Sequence, residues 1–105
     1  LEIQSKTDLI VNFNPSDSIS SANVYLVFKD INSIMQSYYF SYNGKTINEG
    51  FRNIPVGYNV RLVAYTIKDE KVLSYASNMT VKDKQTLTLA MKETNDIELK
   101  KLFNN

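Results

Sequence analysis

Residues 36–45 read QSYYFSYNGK, with four aromatic side chains, Tyr38, Tyr39, Phe40 and Tyr42, inside five positions. Aromatic faces at that density could stack on the apolar face of a sugar ring. In an extended strand successive side chains leave on opposite sides, so Tyr38, Phe40 and Tyr42 would share one face and Tyr39 the other. Aromatics on both faces require at least one of them to be partly exposed. The competing reading is an ordinary strand, because tyrosine favours pleated surfaces and packs cross-strand, and Asn43-Gly44 signals a tight hairpin turn. The stretch therefore reads first as a strand. Tyr38, Tyr39 and Tyr42 are the candidate ligand-binding residues, and a glycan platform requires Tyr39 to face solvent beside a second tyrosine. The chain has seven Tyr and no Trp, the strongest stacking residue.

Other chemistry is poorly supplied. There is no histidine and no cysteine. The usual near-neutral general base, the commonest zinc ligand, thiolate metal sites and disulfides are therefore all excluded. Ser18, Ser20 and Ser21 have no His to activate them. Asp17, Asp30, Asp69, Glu70 and Asp83 fall at expected loops or turns. Paired carboxylates could hydrolyse glycosides, but no spacing aligns two of them across a cleft. No Asp-x-Asp-x-Asp-Gly calcium loop occurs. No catalytic, cofactor-binding or metal-binding residue is expected, and the reading is non-enzymatic. Asn78-Met79-Thr80 is a formal glycosylation triplet that reads as a chance match within a strand.

The 105 residues suit one domain, 43% apolar and 22% charged, with a net charge of +1 from 12 basic and 11 acidic side chains. Such a balance offers nothing to draw nucleic acid or anionic lipid. Lys68, Lys71, Lys82 and Lys84 crowd two turns but are offset by Asp69, Glu70 and Asp83. No apolar run approaches the roughly 18 residues of a membrane span. The opening LEIQSKTDL reads as the middle of a longer chain.

The elements that would position these residues follow a period of two. Leu1, Ile3, Leu9, Val11 and Phe13 alternate with mostly polar residues, the pattern of a half-buried strand, with an interruption near Lys6-Thr7-Asp8. NPSDSISS, residues 14–21, reads as a loop. Val24, Leu26 and Phe28 share one face of the next strand, and residues 30–33 form a turn. After the aromatic strand, a return strand runs over residues 45–51. Tyr58, Val60, Leu62 and Ala64 alternate in another strand, KDEK (68–71) closes a second hairpin into residues 72–76, and a short piece covers 79–81. KDK (82–84) then leads into a last strand with Leu87, Leu89 and Met91 on one side. Turn signals every 8 to 12 residues are the mark of a β-sandwich. Only the tail, 93–105, departs from this pattern. Asn95 with Glu98 could cap a short helix, and Ile97, Lys101 and Leu102 lie on one loose helical face.

Residues 51–92 resemble prealbumin-like sandwich domains, the carboxypeptidase regulatory-like (transthyretin-like) and starch-binding-like modules of bacterial surface and secreted proteins. The resemblance rests on Phe51, the Ile54-Pro55-Val56-Gly57 turn, Tyr58-Asn59-Val60, Thr80-Val81 and Gln85-Thr86-Leu87. Two departures are visible. Tyr58 follows Gly57 directly, and Asp69-Glu70 stands where the later hairpin usually has glycine. The motif is structural: proline stiffens the turn, glycine permits it, and tyrosine anchors the strand end. The resemblance implies a spacer, adhesion or carbohydrate-binding module outside the cell, lipid-anchored or part of a larger exported protein.

The expectation is an all-β, antiparallel two-sheet sandwich of about seven strands, prealbumin-like or immunoglobulin-like, over residues 1–92, with 93–105 as a tail, short helix or linker. Its core would draw on Val11, Phe13, Val24, Leu26, Phe28, Phe51, Ile54, Tyr58, Val60, Leu62, Leu87 and Leu89. Expected partners are a protein or a glycan, with neither nucleic acid nor a membrane span, and edge strands allow weak self-association.

Overall fold

The computed structural model describes residues 5–14, 19–42, 45–46 and 50–104, and for Phe13, Tyr38, Phe40, Ser41, Tyr42, Lys45 and Thr46 only the main chain. Among these residues nine strands and one helix follow in order: β1 (Lys6–Phe13), β2 (Ser21–Phe28), β3 (Ser33–Tyr42), β4 (Lys45–Thr46), β5 (Phe51–Pro55), β6 (Asn59–Lys68), β7 (Lys71–Thr80), β8 (Thr86–Leu89), β9 (Lys92–Thr94) and α1 (Asp96–Lys101). They form two sheets, a small one in the order β5-β1-β8 and a large one in the order β4-β3-β2-β6-β7-β9. The protein is an all-β two-sheet sandwich.

Alternation builds the interior. Val24, Leu26 and Phe28 of β2, Val60, Leu62 and Ala64 of β6 and Tyr39 of β3 meet Leu9, Val11, Phe51, Ile54 and Leu89 of the small sheet in one buried cluster. Tyr58 and Leu87 are packed against it while partly buried, and Tyr58 stands edge-on to Phe28 at 6.1 Å. Of the expected core only the Phe13 side chain lies outside the described residues. Leu9, Tyr39 and Val81 join it as well.

Three sequence expectations are corrected. The strands number nine, and the sandwich is not wholly antiparallel: β8 runs parallel to β1, with Val11 opposite Leu87 and Phe13 opposite Leu89. Phe51 does not continue the return strand of the aromatic hairpin. β4 pairs with β3 at Tyr42↔Lys45, and by Phe51 the chain has crossed to the small sheet to pair with β1. The strand expected to run through Met91 stops at Leu89 as β8, beside β1, and a further strand, β9, follows beside β7 in the other sheet. The alternation does not extend into β9, where Lys92 and Glu93 are exposed and Thr94 is half-buried. A fourth expectation, a strand break near Lys6-Thr7-Asp8, takes the form of a register shift between Thr7 and Leu9. There Asn53 adopts φ 59°, and its N–H donates to Asp8 Oδ1 at 3.1 Å, as in a β-bulge.

Candidate interaction surfaces

Tyr39 is wholly buried, its ring tilted against Phe51 with centroids 6.2 Å apart. A tyrosine at the centre of a sandwich offers no face to a sugar. The condition set for the platform is therefore not met at this residue, while the side chains of Tyr38 and Tyr42 lie outside the described residues. Burial pushes the Tyr39 hydroxyl far above its ordinary value, a trend that Ser37 opposes weakly. Among the described residues the hydroxyl has no hydrogen-bond partner of good geometry. It lies close to where a Cβ on Gly50 would stand, 3.1 Å away.

A different aromatic group occupies the outer face of the large sheet. Strand parity sends Tyr25 and Val27 of β2 and Arg61, Val63 and Tyr65 of β6 away from the interior. Val27 and Val63 are nevertheless buried and lie outside the sandwich core cluster. The C-terminal segment meets this face at Tyr25 and Arg61, the register partners of Val63 and Val27. α1 starts at Asn95, whose Oδ1 accepts from the Glu98 N–H at 2.9 Å, so the cap legible in the sequence does form. Asp96 and Glu98 in the first turn and Lys100 and Lys101 in the last suit the helix dipole. The six-residue helix is too short to stand alone. Its docking is visible beyond its end: Phe103 stands edge-on to Tyr25 with centroids 4.9 Å apart, and Tyr25 lies parallel to Tyr65 at 6.0 Å. Arg61 Nη1 donates to the carbonyls of Leu102 at 3.0 Å and Asn104 at 2.8 Å, and Arg61 Nε donates to Asn78 Oδ1 at 2.9 Å. The guanidinium thereby satisfies carbonyls that the helix end leaves open. Its planar fork can serve three acceptors at once, which a lysine could not match in geometry.

Among the described residues, three clefts stand out at the surface. One, of about 480 Å³, runs between α1 and the outer side of β7 and β9, past Ser74, Ala76, Lys92, Glu93, Glu98 and Leu102. A second lies at one end of the sandwich around Lys29, Asp30, Asn59, Asn78 and Thr80. Here Asp30 Oδ2 accepts from the Asn59 N–H, and the Thr80 hydroxyl donates to Asn59 Oδ1. The third gathers Lys6, Asp8, Asn53, Asp83 and Lys84. Carboxylates share two of these clefts, Glu93 with Glu98 and Asp8 with Asp83. All four are exposed. Glu93 pairs with Lys71, Glu98 pairs with Lys101 and Asp8 holds Asn53. Asp69 and Glu70, also expected at a turn, form the β6–β7 turn, and Asp17 lies outside the described residues.

Comparison of the chain with protein-family models, with curated proteins and with solved structures finds no match. No helix among the described residues is long and apolar enough to cross a membrane.

The edges of the sheets complete the list of surfaces. β8 is an edge strand of the small sheet. The N–H of Ile10 donates to Gln85 O and that of Asn14 to Leu89 O, so odd-numbered residues of this stretch turn their main chain toward β1. The main-chain groups of Thr86 and Thr88 then point to the outer edge. On the opposite edge, β5 carries Pro55 and the Asn53 bulge, both of which discourage strand addition. The outer-face aromatic group and the β8 edge were missed from sequence, since each depends on which strands become neighbours.

Proposed function

We propose that the chain is a non-enzymatic extracellular or cell-surface sandwich module of the prealbumin-like kind, acting as a spacer or as a protein-interaction domain. The observation that carries this reading is the edge of β8, where the main-chain groups of Thr86 and Thr88 have no strand partner among the described residues, opposite a bulged and proline-bearing edge. A partner strand laid along Thr86–Leu89 would extend the small sheet without disturbing the core. The molecule is long and thin, 52 × 32 × 16 Å, and its radius of gyration of 14.0 Å exceeds the roughly 13 Å of a compact chain of this length. That shape suits a spacer. The same edge would allow weak self-association.

Carbohydrate binding through exposed tyrosines is the second reading. It retains Tyr38 and Tyr42 but loses Tyr39 to the core, and the parallel pair Tyr25 and Tyr65 is in part covered by Phe103. Sedimentation of the full chain over a range of concentrations, together with a glycan array, separates the two. The interaction reading expects concentration-dependent association that Thr88→Pro abolishes, since proline removes an outward N–H and spares the ladder to β1. A strict monomer that binds a glycan saturably would overturn it.

A further inference from the structure

The outer face of the large sheet holds a short helix by a small set of contacts, and nothing but chain connectivity requires that helix to be the protein's own. We propose that this face is a peptide-binding site, occupied in cis by residues 95–104 and able to accept in trans a short amphipathic helix ending in Leu-Phe. This surface is separate from the β8 edge, on the opposite sheet, and the inference does not rest on strand addition.

The seated segment defines the chemistry of the occupant. Phe103 sets an aromatic edge against the face of Tyr25. Leu99 of α1 and its C-cap residue Leu102 are half-buried, while Ile97 on the same helix is 71% exposed. Arg61 reads the last carbonyls. A helix presenting apolar residues at this spacing to a groove is a recurrent mode of peptide recognition. The receiving surface is the rigid part: Val27, Val63, Tyr25 and Tyr65 stand on the two central strands, β2 and β6, flanked by β3 and β7. The bound part is the weak one, a helix of six residues with no fully buried side chain. Segments with few buried contacts open locally without global unfolding, and tethering gives the cis segment an effective concentration in the millimolar range. A partner peptide must therefore outcompete it, which makes the segment an intramolecular gate on the site.

The test uses the full chain and a fluorescently labelled synthetic peptide of sequence NDIELKKLFN, residues 95–104. Phe103→Ala in the full chain loosens the cis segment. The peptide is expected to bind this variant saturably and at least tenfold more tightly than it binds the unaltered protein. Adding Arg61→Ala should weaken that binding about tenfold, and a peptide with alanine in place of its phenylalanine should not bind. Equal binding to variant and unaltered protein, or no binding to a variant whose circular dichroism retains its β signal, overturns the proposal. Amide exchange of the unaltered chain decides independently of any variant. The N–H groups of Leu102, Phe103 and Asn104, which close the end of α1, should exchange at least tenfold faster than those of Leu62 and Val63. Equal protection would show that the segment leaves only when the whole protein unfolds, and would also overturn it.

Discussion

The ring of Phe103 stands at 88° to that of Tyr25, centroids 4.9 Å apart, and joins the end of the chain to the second strand of the sandwich. The contact makes a three-layer molecule from a two-layer one: small sheet, large sheet and C-terminal cover. Its energetic share follows from the geometry, because an edge-to-face pair contributes about 0.5–1.5 kcal/mol beyond the area it buries. Phe103→Ala should lower stability by about 1–2 kcal/mol, less than a core aromatic because the ring is only half-buried. A double-mutant cycle with Tyr25→Ala, read by urea denaturation, should return a coupling of roughly 1 kcal/mol. A coupling indistinguishable from zero would show that the two rings do not meet in solution.

Tyr39 carries a buried hydroxyl that Ser37 approaches without a hydrogen bond of good geometry among the described residues. Such a group is costly to desolvate, by about 1–3 kcal/mol. Tyr39→Phe keeps the ring and removes the cost, so it should raise stability by about 1 kcal/mol. A loss of stability would reveal an acceptor.

The same hydroxyl gives a pH signature. Its folded-state proton affinity is raised by burial, so the folded form retains a proton that the unfolded form releases near the ordinary phenol value, about pH 10. The contribution is intact below that value and falls as pH rises past it. Alkaline unfolding should therefore steepen above pH ~10, and one of the seven tyrosines should ionise only as the protein unfolds. Tyr39→Phe should flatten the profile. An unchanged profile would mean that other groups govern alkaline unfolding.

Gly50 lies at φ 118°, and a Cβ there would come within 1.8 Å of the Leu9 carbonyl oxygen. Both the dihedral and the space demand glycine, and the obstacle is main chain that cannot rotate aside. Gly50→Ala should cost about 3 kcal/mol or more and should lower Tm sharply. Gly57, at φ 97° but in open space, should lose only about 1–2 kcal/mol on the same change.

The β6–β7 hairpin closes through Asp69 and Glu70, at φ 51° and 64°, between the paired Lys68 and Lys71. Positive φ at both central positions is the turn that Asn-Gly fits best. Asp69→Asn with Glu70→Gly should stabilise by about 1 kcal/mol, raising Tm by about 5 °C. A decrease would show that the acidic pair is held by something other than turn geometry.

Much of this architecture was legible from alternation. Val24, Leu26, Phe28, Val60, Leu62 and Leu89 read as core from their period of two, and that period is a property of strands whatever their neighbours. The Asn95 cap was legible too, because capping is local. Pairing partners were not. The parallel contact of Val11 with Leu87, and the crossing of Phe51 into the small sheet, depend on how distant segments associate. Val27 and Val63 mislead a strictly alternating reading, since they sit on the nominally solvent side and are buried, on a face that the C-terminal segment meets without leaving a periodic trace. Tyr39 marked the opposite limit. A stripe with aromatics on both faces does not say which face the second sheet will cover, and it covers this one.

Solvent accessibility at the Val27 and Val63 methyl groups tests the three-layer account most directly. With a soluble paramagnetic agent added to the full chain, nuclear magnetic resonance should show both sets of methyls as protected as those of Leu26 and Leu62, with Overhauser contacts between the Phe103 and Tyr25 rings. Strong relaxation at Val27 and Val63, with Phe103 at random-coil shifts, would mean that the outer face is bare and the account is wrong.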